Sequence, residues 1–257
     1  VPFMLQPNFK ISLACDDADL REAQRLRFDV FVDELGGDGP LVDHHARLER
    51  DAFDPHADHL ILRDLNRPPG AQVVGAYRLL RGDAAERAGG FYSAREFDLA
   101  RLQHSGRSLL ELGRSCVHSD YRGGTAMLEL WSGLADYVTR HGIELLFGVA
   151  SFHGTDLDAL APPLSILHHR HLAPPDLRVR AAGPQAVAMD RVPVETLDRV
   201  AAMRAVPSLI KSYLRLGGFV GQGAWVDQAF RTTDVCLILD TARMSAGRTD
   251  RIARGRG

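Results

Sequence analysis

Apolar and polar positions alternate over Phe9–Cys15, which predicts a first strand. The rhythm then changes. Over Asp19–Leu35, Leu20, Ala23, Leu26, Arg27, Val30 and Phe31 recur at intervals of three and four, which predicts a helix stopped by Gly36-Gly37. Gly36–Pro55 has no period and is expected as a loop. Asp58–Arg63 and Gln72–Leu80 read as strands joined by a turn at Asn66–Gly70. A short helix is expected near Ser93–Leu102. Ser108–His118 carries enough apolar residues for a central strand, and Gly123-Gly124 turn the chain into an amphipathic helix, Ala126–His141, ended by Gly142. Ile143–Phe152 is almost wholly apolar, as a strand buried on both faces would be. Thr155–Leu167 looks helical but broken by Pro162 and Pro163, and Asp176–Val194 is irregular. Helices are expected over Glu195–Met203 and Val206–Leu216, and strands over Phe219–Val226 and Thr233–Asp240.

The predicted order alternates strands and helices, with a strand, glycine turn, helix and strand in direct succession at its centre. That succession implies a parallel crossover inside a mixed sheet flanked by helices, an α/β fold. No repeat or linker divides the chain, so one domain is expected over residues 1–242. Residues 243–257 hold five Arg and one Asp among Gly and Ser, with no apolar period, and are expected to form a disordered tail.

Composition narrows the function classes. A formal net charge of −2 over 257 residues gives no reason to expect a nucleic-acid partner. Cys15, Cys116 and Cys236 are odd in number and widely spaced, and each lies in an apolar run. Buried free thiols in a reducing cytoplasm are therefore expected. No stretch approaches the roughly 20 apolar residues of a membrane span, and the first residues lack a signal-peptide layout. Membrane contact is expected to be peripheral at most, through the Arg-rich tail or the helix at 206–216.

Four constellations are candidates for chemistry. Arg122-Gly123-Gly124-Thr125 lies between a strand and a long helix, where backbone amides and a helix N-terminus favour an anion such as phosphate. Glu111 and Arg114 interrupt an apolar strand, and charge there is costly unless paired or used. Asp51 and Asp54 could cap a turn, bind a cation or hold an amine. Arg27, on the apolar face of the first helix, and Arg78, within a strand, would each need a carboxylate partner if buried. The histidines at 44–45 and 168–171 lack the spacing of a metal site, and no metal is expected. Ser115 and Ser151 lack the flanking glycines of a nucleophile elbow.

Taken together, these segments resemble a known family. The stretch ELGRSCVHSDYRGG (111–124), followed by an amphipathic helix, is similar to the strand–turn–helix of the GNAT superfamily, whose loop grips the pyrophosphate of CoA. Thr125 and Met127 stand where that loop usually has glycines. This departure, with RLRFDVFVDELGG (25–37), DAFD (51–54), VVGAYRLL (73–80), REFDL (95–99) and the block at 206–235, resembles the L-ornithine N-alpha-acyltransferases. The resemblance implies a GNAT-like acyl-CoA N-acyltransferase fold with a C-terminal helix–strand extension. It also implies transfer of a 3-hydroxyacyl chain from acyl carrier protein to the α-amine of L-ornithine, with no cofactor. The acyl-homoserine-lactone synthases share the pattern Arg27, Phe31, Asp51, Asp54, Arg78, Glu111 and Arg114, but the Trp usual in their first loop falls at Gly37. A lactone synthase, another GNAT acyltransferase and a non-catalytic acyl- or membrane-binding protein remain as alternatives.

By this resemblance Glu111 is the expected base, with Asp51 and Asp54 behind it. A backbone amide near Ser115–Val117 is expected to hold the oxyanion. Arg122, Gly123, Gly124 and Thr125 would hold the donor's phosphate. Arg27, Phe31, Arg78 and Arg114 would contact the acceptor or order the carboxylates.

Overall fold

A computed structural model describes residues 6–243. Its elements in chain order are β1 (Phe9–Leu13), α1 (Asp17–Arg27), β2 (Asp58–Asp64), β3 (Val73–Arg81), α2 (Gly82–Arg87), β4 (Phe97–Asp98), α3 (Ala100–Gln103) and β5 (Leu109–Val117). There follow α4 (Ala126–His141), β6 (Leu145–His153), α5 (Ala161–His171), β7 (Arg180–Ala181), β8 (Ala186–Val187), α6 (Arg199–Ala205), α7 (Ser208–Arg215), β9 (Phe219–Val220), β10 (Ala224–Asp227) and β11 (Thr232–Asp240). These residues fall into two compact units, and the chain passes from one to the other within β5, between Glu111 and Leu112.

The first unit contains residues up to Gly89 and residues 112–142. β1, β2 and β3 form an antiparallel meander. Ile61 pairs with Ala76, and Leu62 with Gly75, so the two pairs point to opposite faces. On one face Ile61 and Ala76 pack with Ala23, Leu26 and Val30 of the first helical segment. On the other, α4 lies so close that a Cβ on Gly75 would come within 2.8 Å of Leu130, and one on Gly133 within 2.6 Å of Ile11. Burial on both faces is why β3 is apolar or uncharged at every position except Arg78 and Arg81.

The second unit contains residues 90–111 and those from Ile143 on. Leu109–Glu111 run parallel to Leu145–Phe147, and β6 pairs antiparallel with the whole of β11. The expected parallel step within a mixed sheet is therefore present. β11 lies between β6 and β10, and all nine of its residues are buried. The C-terminal strand is thus an interior member of the unit's sheet.

The structure departs from the sequence expectations at several points. The helix expected over Asp19–Leu35 is α-helical only to Arg27, and Phe28–Glu34 continue as a π-helix before Gly36 turns the chain at φ +71°. Pro162 and Pro163 open α5 and do not break it, because the first turn of a helix has no use for their missing N–H groups. The expected helix near Ser93–Leu102 is a 3-10 turn at Tyr92–Arg95, the short β4, and α3. Glu195–Met203 becomes α6, begun later by the Asp198 cap on the amides of Val200 and Ala201. Gly223, at φ +83°, separates β9 and β10 where one strand is expected. Cys15 is exposed and hydrogen-bonded to Asp19, whereas Cys116 and Cys236 are buried thiols as expected. The Arg-rich tail lies outside the described residues from position 244 on. Arg243 is described, with its guanidinium over the Phe219 ring and near Asp240. No helix among the described residues is long and apolar enough to cross a membrane.

Candidate active site

The face of β3 that packs on the first helical segment also carries Arg78, directly opposite His59. Arg27 leaves the last turn of α1 on its buried side. Neither guanidinium can remain inside without counter-charge, and the loop after the π-helix supplies it. Arg27 bonds Glu49 at 2.5 Å and Asp54 at 2.8 Å. Arg78 bonds Asp51 and lies 3.5 Å from Asp54. Arg114 lies 3.1 Å from both Glu49 and Asp51. Three arginines and three carboxylates thus form a charge-balanced network. Gln24 adds a 2.9 Å bond to Asp54, and Phe53 lies beneath the Arg78 guanidinium.

The electrostatics follow from this packing. Burial by itself raises the Asp51 and Asp54 carboxyls. Arg78 and Arg114 at Asp51, and Arg27 at Asp54, outweigh it and hold both well below the usual carboxylate range. Burial lowers His59, whose ring nitrogen sits 3.1 Å from the Asp54 carbonyl. Asp51 and Asp54 are thereby held as carboxylates near neutral pH, which suits orientation better than proton exchange.

Two features of β5 continue this arrangement. Gly113 leaves room for Arg78, whose Nη2 is 3.4 Å from the position a Cβ would take. Arg114 adopts φ +50°, a left-handed conformation that a non-glycine residue in a strand adopts only under tertiary constraint. The next residue, Ser115, has a buried hydroxyl with no hydrogen-bond partner among the described residues.

Beyond β5, Arg122 donates to the Val117 carbonyl at 2.9 Å and pairs with Glu34 at 2.7 Å. Gly123 takes φ +78°. Thr125 occupies the N-cap of α4 but makes no side-chain cap, so the first amides of a 16-residue helix lack a side-chain acceptor there. Such an end attracts anions.

Glu111 belongs to the second unit. Its carboxylate accepts from the amides of Tyr92 at 2.9 Å and Ser93 at 2.7 Å, and it is buried.

The sequence-predicted residues thus gather as follows. Arg27, Asp51, Asp54, Arg78 and Arg114 form one network, and Arg122, Gly123, Gly124 and Thr125 form the entrance to α4. Phe31 lies in the π-helix and packs against the α1 core. Glu111, in the second unit, anchors the turn at Tyr92-Ser93. Sequence reasoning missed Glu49, which binds both Arg27 and Arg114. The available signal was a lone acid two positions before Asp51, in a loop facing two arginines that needed partners. It also missed Glu96, Asp227 and Asp234, three buried carboxylates whose oxygens lie within 4.8 Å of one another. The other acidic group, Cys15, Asp16 and Asp19, is largely exposed, and neither group contains a histidine.

Comparison with known proteins agrees with this architecture. An acetyltransferase (GNAT) domain family matches residues 26–132. An L-ornithine N(alpha)-acyltransferase of Rhodobacter capsulatus is 60% identical over 93% of this chain and 92% of its own length. Those of Brucella abortus and Rhizobium meliloti are 44% and 41% identical over 93% of this chain and 86% and 82% of theirs. Among solved structures, a CoA-dependent acyl-homoserine lactone synthase with SAM and isopentyl-CoA shares the fold at TM-score 0.51 and 14% identity, covering 96% of this chain and 90% of that one. An N-acyl amino acid synthase from uncultured soil microbes does so at 0.50 and 11%, covering 94% and 95%. With whole-length identity of this order, the chain belongs to the L-ornithine N(alpha)-acyltransferases, enzymes of the GNAT acyltransferase fold.

Proposed function

We propose that this enzyme moves a 3-hydroxyacyl group from the thioester of acyl carrier protein to the α-amine of L-ornithine, giving a lyso-ornithine lipid. The observation that carries the acceptor and the reaction is the 41–60% identity to L-ornithine N(alpha)-acyltransferases across about nine-tenths of the chain. The donor loop supports the carrier protein. Thr125 and Met127 replace glycines that would admit a CoA pyrophosphate, while Arg122, Gly123, Gly124 and the end of α4 suffice for one phosphodiester.

The α-amine has a pKa of about 8 and must lose a proton to attack. Glu111 takes that proton, directly or through a water. The nitrogen attacks the thioester carbonyl, the C–N bond forms, the C–S bond breaks, and the pantetheine thiol leaves with a proton. A backbone amide between Ser115 and Val117, after the left-handed residue Arg114, receives the oxyanion. Asp51 and Asp54 act as fixed charges that order Arg78 and Arg114, and the arginines orient the acceptor carboxylate. Cys116 takes no part, since burial pushes its thiol up to about 12. The amphiphilic product leaves to a membrane surface, with the basic tail and the outer side of α7 as points of peripheral contact. The buried Ile210 and Tyr213 hold the inner side of α7.

The test is to incubate the purified chain with 3-hydroxyacyl-acyl carrier protein and L-ornithine and to follow product by mass spectrometry. Parallel reactions replace ornithine by S-adenosylmethionine, and the carrier protein by CoA. Ornithine-dependent product from the carrier-protein donor is expected. Equal or faster reaction from acyl-CoA would overturn the donor assignment, and lactone formation would overturn the acceptor.

A further inference from the structure

We propose that Glu49 is a positioning residue for acyl transfer: through Arg114 it fixes how the peptides of residues 115–117 are presented, an inference that rests on one of those amides receiving the oxyanion. β5 carries the mark of an insertion. In a regular strand, residues two apart share a face. Gly113 faces the Arg78 side chain. Cys116, three positions on, nevertheless lies in the cluster that Ala76, on the Arg78 face of β3, forms with α1. The alternation therefore slips by one residue between Gly113 and Cys116, and Arg114, at φ +50°, is where it slips. This is a β-bulge whose left-handed position is normally filled by glycine. Arginine opposes that conformation by its own backbone preference, so its surroundings must hold it there.

Glu49 supplies that hold. Its Oε1 accepts at 3.1 Å from Nε of Arg114, the guanidinium nitrogen nearest the backbone, while its Oε2 takes Arg27 at 2.5 Å. The carboxylate is itself fixed in place. Glu49 is 1% exposed, and its N–H donates to the Gln24 carbonyl of α1 at 3.1 Å. The preceding residue, Leu48, exchanges both backbone bonds with Asp43, at 2.9 and 3.0 Å. Asp51 also meets Arg114 at 3.1 Å, but it is shared with Arg78 and is less enclosed. Glu49 thus ties α1 to the bulge, and all of these residues belong to the first unit.

The test separates backbone from side chain at position 114. Arg114→Gly and Arg114→Ala both remove the guanidinium, but only glycine takes a positive φ without support. With 3-hydroxyacyl-acyl carrier protein and L-ornithine, Arg114→Gly is expected to exceed Arg114→Ala in kcat by about tenfold. Glu49→Gln is expected to lower kcat by about 10–100-fold, with KM for both substrates within about threefold. In the Arg114→Gly background the same change is expected to cost less than about twofold, because the two positions act as one unit. Equal kcat for the two Arg114 variants would overturn the proposal. So would a Glu49→Gln loss that persists in the Arg114→Gly background, or one carried by KM for ornithine. If circular dichroism shows that Glu49→Gln does not fold, the Arg114 pair decides alone. Amide NMR spectra separate this proposal from the acyl-transfer reading. The signals of residues 115–117 are expected to move in Glu49→Gln and Arg114→Ala, and to stay closer to wild type in Arg114→Gly, whether or not wild type forms acyl product. Unmoved signals in Glu49→Gln would overturn the proposal even in an active enzyme.

Discussion

The two units bury carboxylates in opposite ways. In the first, Glu49, Asp51 and Asp54 each contact at least one of Arg27, Arg78 and Arg114, and positive and negative charges match in number. In the second, Glu96, Asp227 and Asp234 are gathered with one another. A balanced network is complete within the protein and rigidifies it. The second set is brought together by the pairing of β10 with β11 and by a turn far away in sequence, whereas a helix, a strand and a loop bring the first set to its arginines.

Glu111 offers the strongest way to break that contrast, because it carries both an anchoring role and the proposed proton transfer. Glu111→Gln is expected to lower turnover by about 10²–10⁴-fold with the fold intact by circular dichroism. Its pH–rate profile is the sharper readout. Loss of a base removes the ascending limb of kcat/KM, whereas loss of an anchor lowers the whole curve and leaves its shape. The scaffold assignment is broken most directly at Arg27. Arg27→Met leaves Glu49 and Asp54 short of a partner, and urea unfolding should register a loss of about 3–5 kcal/mol. A stability loss below about 1 kcal/mol would mean that the network is dispensable.

A smaller effect is expected from Arg122→Ala, which should raise KM for the acyl-carrier donor about tenfold and leave KM for ornithine within twofold. Movement of the ornithine constant instead would remove Arg122 from the donor site. The acid limb of stability sharpens the comparison further. Asp51 and Asp54 have depressed pKa values in the folded chain, so their contribution is complete above the unfolded value of about 3.9 and is lost as pH falls through the folded values. Thermal melts should therefore hold steady above about pH 5 and decline below about pH 4, with the decline reduced in Asp51→Asn. The smallest change is expected at Cys116. Cys116→Ala should stay within about twofold of wild-type turnover, since acyl transfer by direct attack needs no thiol nucleophile.

Much of this was legible in the chain. The hydrophobic period located most of the strands and α4, and the glycine pair located its N-terminus. Arg27 and Arg78 advertised a need for partners because each interrupts an apolar pattern. Local sequence could not reveal which carboxylates answered. Glu49 is brought to Arg27 by the path of a loop without period, and Asp227 and Asp234 meet Glu96 only through strand pairing and a turn more than a hundred residues earlier in sequence. The prolines of α5 misled because their meaning depends on whether they fall in the first turn or the interior of a helix. The π-helix over Phe28–Glu34 leaves no mark in a residue period close to that of an α-helix.

The close seat of α4 on the meander carries a further implication. Hydrogens at Gly75 and Gly133 allow the approach, and a methyl at either would push the helix outward. A helix of 16 residues is a rod of about 24 Å, and displacing it along its length carries its N-terminus with it. Misplacing a catalytic contact by about 1 Å can cost a hundredfold in rate. Gly75 and Gly133 therefore act as the bearing on which the N-terminal end of α4 is aligned. Enlarging either should look like damage to donor handling, although neither lies in the loop that is proposed to meet the donor.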